Sequence, residues 1–169
     1  MQLVSVIIPL FNEEQGVELL AERLTKAVLT QHYHFEFVVV DDGSVDSTVE
    51  ILRNWQRRDS RVVIVKLSRN WGHQAAVNAG LDVATGDAIV FMDGDLEDPP
   101  ELIPDLLRSW EDGYKTVYTI KVSRHQGGLR RLLTQAYYSL IQKTNKHGVP
   151  PGAGIFSLVD SKVAEVLRG

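Results

Sequence analysis

Two hydrophobic periods alternate along the first 122 residues. Val4–Pro9 is a short β-branched run, the pattern of a strand buried on both faces. Asn12 is a candidate cap for the segment that follows, in which Val17, Leu20, Leu24, Ala27 and Val28 recur at helical spacing. Phe35–Val40 is a second strand and ends abruptly in Asp41-Asp42-Gly43-Ser44. Asp46 or Ser47 then caps a helix with Val49, Leu52 and Trp55 on one face. Val62–Leu67 is a third strand, and the loop from Ser68 to His73 leads into an Ala-rich helix from Gln74 to about Ala84. Ala88–Met92 is a fourth strand, closed by Asp93-Gly94-Asp95. Pro99 or Pro100 opens a fourth helix, Glu101–Trp110. Thr116–Val122 reads as a fifth strand.

Strands and helices in strict alternation predict an α/β fold, Rossmann-like, with a mostly parallel sheet flanked by helices. Ligands of such sheets bind beyond the carboxyl ends of the strands, where Asp41, Asp42, Asp93 and Asp95 crowd. Beyond Val122 the pattern changes. Ser123–Gly128 is loop-like, and Leu129–Lys143 is an amphipathic helix that carries Arg130 and Arg131. Asn145–Gly154 is rich in Gly and Pro, Ile155–Val159 is a sixth strand, and Ser161–Leu167 begins another helix.

The chain has 169 residues, 44% hydrophobic and 24% charged, which suits one compact domain and excludes disorder and fibrous repeats. A net charge of −4 argues against general nucleic-acid binding. With no cysteine, zinc ribbons, disulfide scaffolds and cysteine nucleophiles are excluded. Met1 is followed directly by a strand-like run, so no signal peptide is expected. No apolar run approaches the roughly 20 residues that span a bilayer, so the chain as given is expected to be soluble.

Asp93-Gly94-Asp95 places two carboxylates around a residue that permits close backbone approach and unusual φ. Such a pair suits Mg²⁺ or Mn²⁺, which completes its shell with phosphate oxygens and water. The alternative is a solvated acidic loop before the next helix. Asp41 and Asp42 can accept hydrogen bonds from a base or a ribose, or simply turn the chain. Pro9–Glu14 turns the chain after the first strand. Arg69, Asn70 and His73 stand beside a helix N-terminus, where anions are favoured.

Four stretches occur in order: Val4–Glu14, Val38–Thr48, Leu67–Ala76 and Phe91–Glu101. Together they resemble the inverting family 2 glycosyltransferases of GT-A fold, and within them the polyprenyl-phosphate glycosyltransferases. A phosphatase of haloacid-dehalogenase type shares the apolar strand and DxD, but its usual Thr is replaced by Leu96-Glu97 and the other three stretches go unexplained. The resemblance implies a nucleotide-sugar core over residues 1–122. Residues 123–169 would begin an acceptor-side region that is incomplete here. Pro9, Asn12 and Glu13 would line the nucleotide pocket, Asp42 and less directly Asp41 would contact the base, and Ser68, Arg69, Asn70 and His73 would border the donor. Asp93 and Asp95, with Gly94 between them, would hold Mg²⁺ or Mn²⁺ against the diphosphate. Gln74 and Asp98 would support them from behind.

One departure bears on the reaction. The subgroup is expected to carry Ala-Gly-Asp-Phe-Arg-Leu, whereas this chain has Ala153-Gly154-Ile155-Phe156-Ser157-Leu158. Isoleucine cannot accept a proton, so a base at position 155 is excluded. A lipid monophosphate has a second pKa near ~6 and attacks without one, and Arg124, Arg130 and Arg131 are positioned in the sequence to meet such a phosphate. The expected activity is therefore sugar transfer to a polyprenyl phosphate, with inversion, on the cytoplasmic side of a membrane. The Leu129–Lys143 helix, with Tyr137 and Tyr138, would lie at the membrane surface. Transfer to a saccharide or protein hydroxyl, and a donor-binding relative without transfer, are the alternatives. A homo-oligomer is compatible with either.

Overall fold

The structure is a computed structural model that describes residues 2–120 and 153–168. Arg124, Arg130, Arg131 and the expected helix Leu129–Lys143 lie outside the described residues. The chain divides into two compact units, Met1–Tyr118 with Ile155–Gly169, and Thr119–Gly154.

The elements are β1 (Leu3–Leu10), α1 (Val17–Val28), β2 (His34–Asp41), α2 (Thr48–Arg58), β3 (Val62–Lys66), α3 (His73–Val83), β4 (Ala88–Phe91), a 3₁₀ turn (Pro100–Leu102), α4 (Ile103–Glu111), β5 (Thr116–Ile120), β6 (Ala153–Asp160) and α5 (Ser161–Leu167). They form a six-stranded sheet in the order β3-β2-β1-β4-β6-β5. β1 pairs in parallel with β2 and β4, and β2 pairs in parallel with β3. β6 runs antiparallel to β4, with Phe91 opposite Ser157. The sequence pattern carried no signal of that reversal, because a strand buried on both faces looks the same in either direction.

Successive strand residues point to opposite faces, and both faces are apolar. Val4, Val6, Ile8, Phe37, Val39 and Val90 share one core with Leu20, Leu24, Leu52, Trp55, Ile103 and Leu107 from α1, α2 and α4. Ile7, Val38, Val40, Ile89 and Phe91 share the other with Ala76 and Leu81 of α3 and Ala164 of α5. A helix layer thus covers each face, and the polar loops are left at the strand ends.

Two local expectations are corrected, and one that lay open between two residues is decided. α1 starts at Val17 after Gly16, not after Asn12, and no side chain caps it. At α2 it is Asp46 that caps, its Oδ1 accepting from the Thr48 N–H at 3.0 Å, whereas Ser47 makes no side-chain cap. The fourth helix begins as a 3₁₀ turn at Pro100 and becomes α-helical only at Ile103, just before Pro104. Proline suits the first turn because it has no N–H to leave unpaired.

Asp160 fixes the antiparallel strand. Its Oδ2 accepts from Trp110 Nε1 at 2.9 Å and from Lys115 Nζ at 2.8 Å, and its Oδ1 accepts from the Lys162 N–H at the start of α5. Burial pushes this carboxyl up, but the hydrogen bonds from Lys115 and Trp110 outweigh it and hold it below its ordinary value. A depressed folded value stabilises the fold above the ordinary carboxylate range, and that gain is lost as pH falls through the folded value. Asp160→Asn is expected to lower the unfolding free energy by about 1–2 kcal/mol at pH 7, with the gap to wild type closing toward pH 3. Urea unfolding across that range checks it, and a gap independent of pH would contradict it.

Candidate functional site at the carboxyl edge

The loops after β1, β2 and β3 are tied into one unit at the carboxyl edge of the sheet. Asn12 adopts a left-handed conformation with φ 55°, which asparagine tolerates better than most residues. Its N–H donates to Ser44 Oγ at 2.9 Å, and its Oδ1 accepts from the Val45 N–H at 3.0 Å. The Glu13 N–H donates to Thr48 Oγ1 at 2.8 Å, the Glu14 N–H donates to Asp46 Oδ2, and the Ser47 N–H donates back to Glu14 Oε2. Five side chain to main chain bonds therefore join the first loop to the N-terminal end of α2.

The two aspartates after β2 divide the work. Both are buried, and as neighbours at a strand end they face opposite ways. Asp41 Oδ1 accepts from the Ser44 N–H and holds the turn. Its Oδ2 is buried with no hydrogen-bond partner among the described residues. Asp42 grips the third loop: Oδ1 accepts from the Trp71 N–H at 2.8 Å and Oδ2 from the Gly72 N–H at 2.9 Å. Gly43 makes this approach possible. Its φ is +73°, and a Cβ there would stand 2.4 Å from the Arg69 carbonyl carbon. Gly72, at φ 91°, turns the chain into α3. The Arg69 guanidinium lies 3.9 Å from the Trp71 ring centroid.

The DxD segment follows β4. Gly94 is chosen for space, not for φ: a Cβ would stand 2.0 Å from Leu10 Cδ2, and the left-handed residue is Leu96, at φ 62°. Asp95 Oδ1 accepts from the Glu97 N–H at 2.9 Å. Asp93 Oδ1 lies 3.6 Å from His73 Nε2. Burial, then the charges of Asp95 and Asp46, push the Glu13 carboxyl above its ordinary value. Glu13, Asp93, Asp95 and His73, from three different loops, thus meet at one edge. Asp98 is buried, whereas Gln74 is exposed and its Nε2 donates to Asn78 Oδ1 within α3.

A cavity of about 250 Å³ opens beside them, lined by Pro9, Phe11, Asp42, Asn70, Gly72 and His73. Asn12 and Asp41 are not among its lining residues: Asn12 holds Val45, and Asp41 holds Ser44. A second cavity of about 280 Å³ shares His73 and adds Val77, Phe91 and Ile155. Ile155 is 47% exposed, while Ser157 is buried and its hydroxyl donates to the Ile155 carbonyl. Another hollow, about 720 Å³, lies between α1 and α2 and holds none of the motif residues. Ser44, Thr48 and Trp71 are contributors that motif reasoning missed. Their roles run through single hydroxyls and main-chain N–H groups, which sequence spacing does not reveal.

Hard oxygen ligands in a set of two fit a cation that takes its remaining ligands from phosphate and water. Among the described residues, no three His, Cys, Asp or Glu side chains cluster as a cage for a metal ion. Asp93 and Asp95 accordingly fit a cation shared with a phosphorylated ligand better than one held by protein alone.

Acidic strand ends around a cavity at the carboxyl edge of a parallel sheet are the ligand-binding arrangement of open α/β proteins. The particular class is glycosyl transferase family 2, to which this chain belongs, its residues 5–168 matching that family's model. It is 38% identical over 165 residues to the uncharacterized glycosyltransferase YkcC of Bacillus subtilis, covering 97% of this chain and 51% of that protein. It is 42% identical over 144 residues to the undecaprenyl-phosphate 4-deoxy-4-formamido-L-arabinose transferase of Edwardsiella ictaluri, covering 85% and 44%. The mannosyltransferase PcManGT of Pyrobaculum calidifontis, solved with GDP-Man and Mn²⁺, shares the fold at a TM-score of 0.65 and 24% identity, covering 98% of this chain and 46% of that one. The fold is the GT-A fold that the sequence resemblance implied. The chain spans about half the length of these relatives.

Replacing the gripping carboxylate tests the loop geometry. Asp42→Asn turns one acceptor into a donor facing an N–H, so it is expected to cost about 1–3 kcal/mol of stability in urea unfolding. Unchanged stability would show that the Trp71 and Gly72 bonds are not formed in solution.

Proposed function

We propose that this chain is the donor-binding part of a glycosyltransferase that moves a sugar from a UDP- or GDP-sugar to a polyprenyl phosphate, with inversion and a divalent cation. Residues 1–122 make the nucleotide-sugar core, and residues 123–169 begin the acceptor side. The observation that carries the reading is the gathering of Glu13, His73, Asp93 and Asp95 at the carboxyl edge of the sheet, where His73 also lines the 250 Å³ cavity. The base lies in the cavity against Pro9, Phe11 and Asn70. The remaining lone pairs of Asp42 face it as acceptors. Asp93 and Asp95 would hold Mg²⁺ or Mn²⁺, with Glu13 on the side of the sugar and His73 beside Asp93. Bound there, the cation would supply Lewis-acid neutralisation of the departing diphosphate.

The reaction forms a bond from an acceptor phosphate oxygen to the anomeric carbon while the bond from that carbon to the nucleoside diphosphate oxygen breaks. The electron pair leaves on the diphosphate. A phosphate that is already an anion near neutral pH needs no base, which accords with Ile155 beside His73 and Phe91. The name of the Edwardsiella relative supports undecaprenyl phosphate as the acceptor class. Arg124 and Arg131 supply cationic contacts to the acceptor phosphate. Membrane contact in the full-length protein, on its cytoplasmic side, and self-association belong to the same proposal. Among the described residues no helix is long and apolar enough to cross a membrane.

Thermal-shift titration with UDP-glucose and GDP-mannose, with and without Mn²⁺, tests the donor assignment. One donor is expected to raise the melting temperature in Mn²⁺, since a ligand at 100 times its Kd adds about 2.7 kcal/mol. Asp95→Ala is expected to abolish that metal-dependent rise without altering the melting temperature of the free protein by more than a few degrees. A rise that persists unchanged in Asp95→Ala would overturn the metal assignment.

A further inference from the structure

Both main-chain polar groups of Glu13 are tied. Its N–H donates to Thr48 Oγ1 at 2.8 Å, and its carbonyl accepts from the Gly16 and Val17 N–H groups at 2.9 and 3.2 Å. The carbonyl side anchors Glu13 to the start of α1. The N–H side anchors it to the start of α2, 35 residues away. Asn12 immediately before it sits in a left-handed conformation, so the chain reverses just ahead of Glu13 and the direction of its side chain depends on where this N–H is held. Thr48 is fully buried, and its own N–H is fixed by Asp46. Thr48 lines neither the 250 Å³ nor the 280 Å³ cavity.

We propose that Thr48 is a positioning residue: its hydroxyl fixes the main chain of Glu13 so that the Glu13 carboxyl stands beside Asp95, ready for the sugar of the donor. This rests on the donor reading above. Fixing both ends of the residue leaves only its side-chain torsions free, so little ordering remains when the donor binds. The Thr48 hydroxyl, which also hydrogen-bonds the Asp46 carboxylate, lines neither cavity, so it reaches the ligand through Glu13, and its loss acts on the sugar end of the donor and not on the base.

A double-mutant cycle tests this, with affinities for UDP-glucose, GDP-mannose, UMP and GMP measured by calorimetry in Mg²⁺ on wild type, Thr48→Val, Thr48→Ser, Glu13→Gln and Glu13→Gln/Thr48→Val. Thr48→Val removes the acceptor at nearly constant shape. It is expected to weaken nucleotide-sugar binding on the order of tenfold, the scale of one lost hydrogen bond to an oriented group, and to leave nucleoside monophosphate binding within twofold. Thr48→Ser is expected to restore nucleotide-sugar binding to within about threefold of wild type. In the Glu13→Gln background, Thr48→Val is expected to add less than twofold, because groups that act through one another are not additive. Should Thr48→Val fail to fold, Thr48→Ala measures the same coupling. Additive effects would overturn the proposal, as would equal losses for nucleotide sugar and monophosphate. If wild type binds neither nucleotide sugar, or Glu13→Gln leaves that binding unchanged, it is the donor reading that fails, and the role of Thr48 falls with it.

Discussion

The site depends on one carboxylate used twice. Asp42, buried at the end of β2, receives the N–H groups of two successive residues in the next loop over. Those N–H groups stand just ahead of α3 in a loop that closes on the sheet; the Gly72 N–H is shared with Asn70 Oδ1 at 3.0 Å, and leaving the Trp71 N–H unpaired would cost about 1–3 kcal/mol. The same turn binds the first loop through Ser44 and Thr48. Three loops that the chain keeps about 30 residues apart thus become one rigid edge. Gly43 is the steric condition for this, because no side chain fits between β2 and the Arg69–Asn70 backbone.

Much of the architecture was legible from hydrophobic period alone. Val4–Pro9, Phe35–Val40 and Ala88–Met92 fall within one residue of the strands observed, since runs of β-branched residues between loops leave little choice. The DDGS and DGD segments stand at the strand ends where a parallel sheet binds ligands. What was not legible came from long-range geometry. Asn12 has the composition of a helix cap, but it serves a left-handed turn and a loop 33 residues away. Gly94 reads as a residue that serves close approach or unusual φ, and it is the Leu10 side chain lying across it that decides for close approach. The antiparallel direction of β6 is likewise not encoded by periodicity.

The electrostatics of the edge follow from the same packing. Carboxylates from the first and fourth loops approach closely enough for Asp95 to push Glu13 up, and His73 Nε2 stands 3.6 Å from Asp93 Oδ1. Like charges at such an edge repel one another unless a cation or hydrogen-bond donors accompany them. Ile155 brings no ionisable group to the cavity that it lines with His73 and Phe91. The division of labour is then simple: β2 and its turn supply rigidity, β1 and β4 supply charge, and α3 joins the two.

Amide hydrogen exchange on the free protein tests the central claim most directly. If the loops form one clamped unit, the Trp71, Gly72 and Glu13 amides exchange as slowly as those of the flanking strands β1 and β2, although all three residues lie in loops. Exchange of these three amides at the rate of open surface loops would contradict the account, because the edge would then be assembled by the ligand and not by the fold.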